Sequence, residues 1–105
     1  MIFQINNDDL GEALSGSESK ITILDFYADW CAPCRAYTPL IMKFADENTD
    51  VSVAKVNLEQ NQGLAQQYGV RAIPTTVILK DGQLITKVSG VIQPTKLSEM
   101  ISPLR

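Results

Sequence analysis

Histidine is missing from all 105 residues, and that absence excludes a great deal. Without an imidazole there is no Ser-His-Asp or Cys-His catalysis, no histidine general base and no His-ligated zinc. Basic residues are also short: 9 Lys and Arg stand against 12 Asp and Glu, for a net charge of −3. A nucleic-acid binder carries a basic excess, so no nucleic-acid partner is expected. Long apolar runs are lacking too, and no stretch approaches membrane-spanning length. The opening segment turns polar and acidic after Ile5, without a basic and then apolar leader pattern. The expectation is no signal peptide, no membrane partner and a cytoplasmic protein.

What is present suffices for one domain over residues 1–105. Hydrophobic residues make up 45% and charged residues 20%, the profile of a small globular unit. Surface scaling predicts roughly 5,800 Å² for the folded chain, with about 65% of the extended surface buried. A core of that size stands without disulfide staples or a structural metal.

Periodicity supplies the elements. Met1 to Ile5 is short and apolar, suited to an edge strand. Asp9 to Glu12 has capping-box spacing ahead of Ala13 and Leu14, which predicts a short helix ended by Gly16. The nearly unbroken run Ile21 to Ala28 reads as a strand buried on both faces. From Cys34 to Asn48, Tyr37, Leu40, Ile41, Phe44 and Ala45 recur at helical spacing. Val51 to Val56 returns to strand character, and Leu64, Ala65 and Tyr68 suit a short helix closed by Gly69. Thr75 to Lys80 and Gln83 to Val88 flank Asp81-Gly82, a strong hairpin signal. Leu97, Met100 and Ile101 form a last amphipathic helix between Pro94 and Pro103. The order β-α-β-α-β-α-β-β-α predicts an α/β fold, a mixed sheet of about five strands flanked by four helices.

Both cysteines stand in Trp30-Cys31-Ala32-Pro33-Cys34-Arg35, between the buried strand and a helix. A disulfide across so small a loop constrains little of the unfolded chain, so it serves poorly as a staple. A closed zinc site needs four ligands, and two thiols without histidine require a second chain or carboxylates. A dithiol that cycles between redox states is the favoured reading over a structural or metal-bridging pair. Pro33 suits the first helical turn and puts Cys31 at the helix N-terminus, where unpaired N–H groups favour a thiolate. Arg35 adds a cation close by. Cys31 is then the expected nucleophile, and Cys34, further into the helix and more buried, the resolving thiol.

With these residues in view, the chain resembles the thioredoxin family from end to end. Asp25-Phe26-Tyr27-Ala28-Asp29-Trp30-Cys31-Ala32-Pro33-Cys34-Arg35 is similar to the family's active-site segment, and Pro39 falls where its second helix kinks. Arg71-Ala72-Ile73-Pro74-Thr75 resembles its proline loop, and Gly90 its late glycine. Ala32 departs from the usual glycine between the cysteines, where the family's redox poise is partly set. Ala36-Tyr37 also departs from the common pattern, and no function attaches to it from sequence. The resemblance implies a thioredoxin fold, protein disulfides as substrates, a separate flavin-dependent reductase as electron donor and a monomer. It implies no cofactor beyond the Cys31–Cys34 disulfide.

The other expected site residues follow. Asp25, alone in its apolar run, is either a strand-end polar residue or a desolvated acid that moves protons during exchange. The second reading is favoured, since thioredoxins carry an aspartate at the matching place. Lys55 either pairs with Asp25 from the neighbouring strand or faces the surface. Trp30, the single tryptophan, is a substrate platform or a core residue. Pro74 alone reads as a trans proline opening a strand, since only about 5–6% of X-Pro bonds are cis. The resemblance reverses that expectation and implies a cis bond, with the Ile73 backbone turned to an extended substrate peptide. Gly90 and Val91 complete an apolar rim with Trp30 and Ile73. Three functions compete: a general protein-disulfide reductase, a thiol oxidase or disulfide isomerase on the same fold, and a binding subunit whose dithiol only maintains a surface.

Overall fold

The structure, a computed structural model, describes residues 2–105. Its elements are β1 (Ile2–Ile5), α1 (Gly11–Ser15), β2 (Ile21–Tyr27), α2 (Ala32–Glu47), β3 (Ser52–Asn57), α3 (Gln62–Gln67), β4 (Thr75–Lys80), β5 (Gln83–Ser89) and α4 (Pro94–Ile101). A 3-10 turn, Ser102–Leu104, follows α4. Met1, expected in the first strand, lies outside the described residues. The five strands form one sheet in the order β1-β3-β2-β4-β5, with β1, β3 and β2 parallel and β4 and β5 antiparallel. The predicted mixed sheet and its four helices are therefore present. The accessible surface, 5535 Å², is close to the value expected for this mass.

Strand alternation divides the core between two faces. Ile21 and Ile23 of β2 join Val53, Ile78 and Tyr37, Ile41 and Phe44 of α2, with Leu97 and Ile101 of α4. Leu24 and Phe26 point the other way, to Ala54, Val56, Val77 and Leu79 beneath Ala13 of α1 and Leu64 and Ala65 of α3. Burial on both faces explains why the β2 sequence is nearly unbroken in apolar residues. It also isolates Asp25, which alternation assigns to the α2/α4 face.

Local details refine the sequence expectations. The capping box from Asp9 to Glu12 does not form. The Asp9 N–H donates to the Asn6 carbonyl (3.1 Å), which leaves Glu12 no backbone donor to reach back to. Asp9 Oδ1 instead accepts from the Gly11 N–H at 2.9 Å. Gly16 does end α1, but in a right-handed conformation (φ −88°) rather than the left-handed one common at helix ends. The long helix begins at Ala32, two residues before the apolar periodicity, because Cys31 and Pro33 set its start. The β4–β5 turn has positive φ at both Asp81 (51°) and Gly82 (77°), as a two-residue hairpin of matching twist requires.

Candidate active site

The site lies where β2 ends and α2 begins. Cys31 is the N-cap of α2, and its Sγ accepts the Cys34 N–H at 3.2 Å, with Pro33 in the first turn. Cys31 and Cys34 form a disulfide, their Cα atoms 5.2 Å apart. The sulfur of an N-cap residue faces the unpaired amides of the first turn, which stabilise negative charge there when the disulfide opens. Burial does not separate the two thiols as expected, since Cys31 is 4% and Cys34 3% exposed. Their asymmetry comes from the helix: one sulfur caps it and the other belongs to it. Arg35 Nη1 donates to the Asp29 carbonyl (2.9 Å), so the guanidinium braces the loop that carries Trp30.

The proline loop closes on the cysteines. The Ile73–Pro74 bond is cis, and the Ile73 carbonyl lies 3.9 Å from Cys31 Sγ. The side chain of Ile73 packs against the cluster of Ala28, Cys31 and Cys34. Pro74 is buried, and its carbonyl accepts from the Gly90 N–H at 2.8 Å. Gly90 has φ +97°, with open space where a side chain would stand. Its backbone, not its packing, requires glycine. Val91 and Trp30 are exposed, Trp30 at 67%, which favours a contact platform over a core residue. Cys31, Ile73, Pro74, Gly90 and Val91 thus form a connected rim, with Trp30 next to Cys31 in the chain.

Behind the dithiol lies a buried polar group. Asp25 is 1% exposed, and neither carboxylate oxygen has a hydrogen-bond partner among the described residues. Lys55, its direct neighbour on β3, places Nζ 3.7 Å from Oδ2, so pairing prevails over the surface-facing alternative. The ammonium is held in place by Thr38 Oγ1 (3.0 Å) and by the Tyr27 ring, 4.4 Å below it. Burial pushes the Asp25 carboxyl up from 3.8 to about 6, with the Lys55 charge opposing the rise. Lys55, Thr38 and Cys34 line one cleft of about 210 Å³. On the opposite side, Thr76 of β4 pairs with Asp25 in register. Its Oγ1 lies 2.9 Å from the hydroxyl of Tyr37.

The family model for thioredoxin matches residues 1–103. The chain belongs to the thioredoxin family. It is 44% identical over 86 residues to thioredoxin 1 of Synechococcus elongatus, covering 80% of each chain. Thioredoxin-T of Drosophila melanogaster is 39% identical over 92 residues, which are 86% of this chain, and the match spans 59% of that longer protein. The thioredoxin structure from Fasciola hepatica superposes over 100% of both chains, with a TM-score of 0.85 at 35% identity. A thioredoxin-family chain whose cysteine pair forms a disulfide at a helix N-terminus is a thiol–disulfide oxidoreductase.

Sequence reasoning missed Thr38, Tyr37 and Thr76. Thr76 was findable in principle, because antiparallel pairing of Thr75–Lys80 with Ile21–Phe26 sets it opposite Asp25. Tyr37 reads from sequence only as one apolar position of a helical stripe, and its hydroxyl carries no periodic signal.

Proposed function

We propose that this thioredoxin is a general protein-disulfide reductase. The Cys31 thiolate attacks one sulfur of a substrate disulfide and forms a mixed disulfide, and the other substrate sulfur leaves as a thiolate that takes up a proton. Cys34 then loses its proton and attacks Cys31 Sγ. The second substrate thiol leaves, and the Cys31–Cys34 disulfide remains. Two electrons pass to the substrate. Asp25 serves as the proton carrier for Cys34, because a carboxyl near pKa 6 exchanges protons readily at neutral pH. Trp30, Ile73, Pro74, Gly90 and Val91 form the substrate rim, where an extended peptide pairs with the Ile73 backbone. A flavin-dependent thioredoxin reductase restores the dithiol, no further cofactor is needed, and the protein works as a cytoplasmic monomer.

The observation that supports this reading best is the buried Asp25 carboxylate on the strand that leads to a helix-capping cysteine. It accepts no hydrogen bond among the described residues and has only the Lys55 charge beside it. A cycle that must deprotonate a shielded thiol, in a chain without histidine, needs such a group.

Two measurements test it. Cys34→Ser traps a mixed disulfide with a substrate protein, and Cys31→Ser traps none; trapping by Cys31→Ser alone reverses the roles. In a glutathione buffer poised near about −200 mV, a reductase stands almost wholly oxidised, whereas an oxidase or isomerase is mostly reduced. A mostly reduced protein there rejects the reductase reading.

A further inference from the structure

Tyr37 and Thr76 are both fully buried, and one hydrogen bond of 2.9 Å joins their hydroxyls. Two hydroxyl protons meet in that contact, and a single bond uses one of them. The other needs an acceptor inside the protein, where an unmade hydrogen bond is costly. Asp25 has the complementary deficit, with two buried carboxylate oxygens and no donor within hydrogen-bond distance. Thr76 stands directly across the β2–β4 ladder from Asp25, and directly opposed Cβ atoms lie about 4.5–5.5 Å apart. A surplus donor and a surplus acceptor therefore sit at neighbouring positions on one buried face.

We propose that Tyr37 and Thr76 form a second polar arm of the Asp25 site. In this structure Thr76 does not yet reach the carboxylate; on ionisation of Asp25 its hydroxyl turns to donate to it, while Tyr37 donates to Thr76. Lys55, held by Thr38, is the first arm, on β3; the hydroxyl pair is the second, reaching from β4 and α2. The ionisable groups facing Asp25 are then Lys55 from β3 and Tyr37 from α2, while Cys34 meets Lys55 across the cleft. Burial holds the Tyr37 phenol up at about 12, the hydrogen bond with Thr76 opposes the rise, and the nearby Asp25 charge adds to it. Tyr37 and Thr76 are positioning residues, since neither touches a sulfur. The inference builds on Asp25 as the proton carrier, but its own test does not depend on that role.

The test is carboxyl carbon NMR of Asp25 across pH in the full-length oxidised protein. Thr76→Val removes the donor, and the Asp25 titration should move up by about one pH unit, a tenfold gain in proton affinity. Tyr37→Phe leaves the Thr76 donor but not its polarising partner, so a smaller upward shift is expected. The double variant Tyr37→Phe/Thr76→Val keeps the shape of the contact and leaves no hydroxyl unpaired. It should fold as well as the parent and show the full shift. An unmoved titration in the double variant overturns the second arm. If the titration moves but the pH profile of disulfide reduction does not, the arm stands and Asp25 loses its role as proton carrier.

Discussion

The two faces of the sheet are built from alternate residues of the same strands, yet they do different work. Beneath α1 and α3, Leu24, Phe26, Ala54, Val56, Val77 and Leu79 make an apolar layer, with the small hydroxyls of Thr22, Ser52 and Thr75 buried at its strand ends but no buried charged group among the described residues. Beneath α2 and α4, the same strands contribute Asp25, Lys55 and Thr76 between apolar neighbours. This second face gives up some stability, because it holds a carboxylate that burial forces towards its neutral form. The chemistry sits on the face that also carries the dithiol helix, and the apolar face supplies the stability that tolerates it.

Phe26→Ala gives the sharpest contrast. Phe26 is fully buried on the apolar face and packs against Tyr68 with ring centroids 6.4 Å apart. Its truncation should cost about 3–5 kcal/mol in urea unfolding. A loss below about 1 kcal/mol would show that this face is not the stabilising one.

Asp25→Asn, one residue away in sequence, should do the opposite. A folded pKa of about 6 lies above the ordinary 3.8, so the folded state binds the proton more tightly than the unfolded chain. Ionisation therefore destabilises the fold as pH rises through 3.8 to about 6, and the full penalty is present above that window. The rise corresponds to about 3 kcal/mol at most. The variant should be more stable at pH 8 by up to that amount, and the gain should fade as the pH drops through the window. Disulfide reduction should slow at neutral pH. Equal urea midpoints at pH 8 would mean that Lys55 compensates the carboxylate completely.

These two neighbours also show what a sequence discloses. Every strand and helix was legible, because two-residue and 3.6-residue periods in buried positions leave a direct compositional trace. The dithiol and its helix-capping place were legible as well, since Pro33 and the spacing of Cys31 and Cys34 are local. Asp25 stood out as a charge in an apolar run, but whether Lys55 met it depended on strand order and register. The arm from Tyr37 and Thr76 depends on the same information: register alone could place Thr76, but the Tyr37 hydroxyl meets it from a helix 39 positions earlier in the chain. The failed capping box at Asp9 is the reverse case, a local pattern overruled when Asn6 took the donor it required.

Each face is also closed by a carboxylate clasp, and the two differ in surroundings. On the apolar face, Asp8 reaches from the loop after β1 to the start of α3. Its Oδ1 accepts the Leu64 N–H at 2.9 Å, while its own N–H donates to Asn61 Oδ1 at 2.9 Å. A side-chain oxygen on a first-turn amide works as a remote helix cap, so Asp8→Ala should cost about 1 kcal/mol in thermal or urea unfolding. Asp8→Asn keeps an acceptor and should recover most of that loss. Equal stability of Asp8→Ala and the parent would show that water caps α3 as well.

The clasp on the α2/α4 face is smaller in effect. Arg105, past the 3-10 turn, grips Asp50 with Nε to Oδ2 (2.7 Å) and Nη2 to Oδ1 (2.8 Å), and Nη2 also donates to Asn48 Oδ1 at 2.8 Å. The fork is bidentate, but both partners are about a third exposed, so water and salt screen it and about 0.5–1 kcal/mol is the expected cost of Arg105→Ala. The hydrogen bonds from Arg105 hold the Asp50 carboxyl below its ordinary 3.8, which fixes the sign of the pH dependence. A depressed carboxyl stabilises the fold above its unfolded pKa and loses that contribution as pH falls through the lower, folded value. Parent and variant should therefore differ at pH 7 and converge in acid below about 3.8, and 1 M salt should shrink the gap at pH 7. A gap that persists in strong acid would assign the effect to the packing of the Arg105 side chain rather than to its charge.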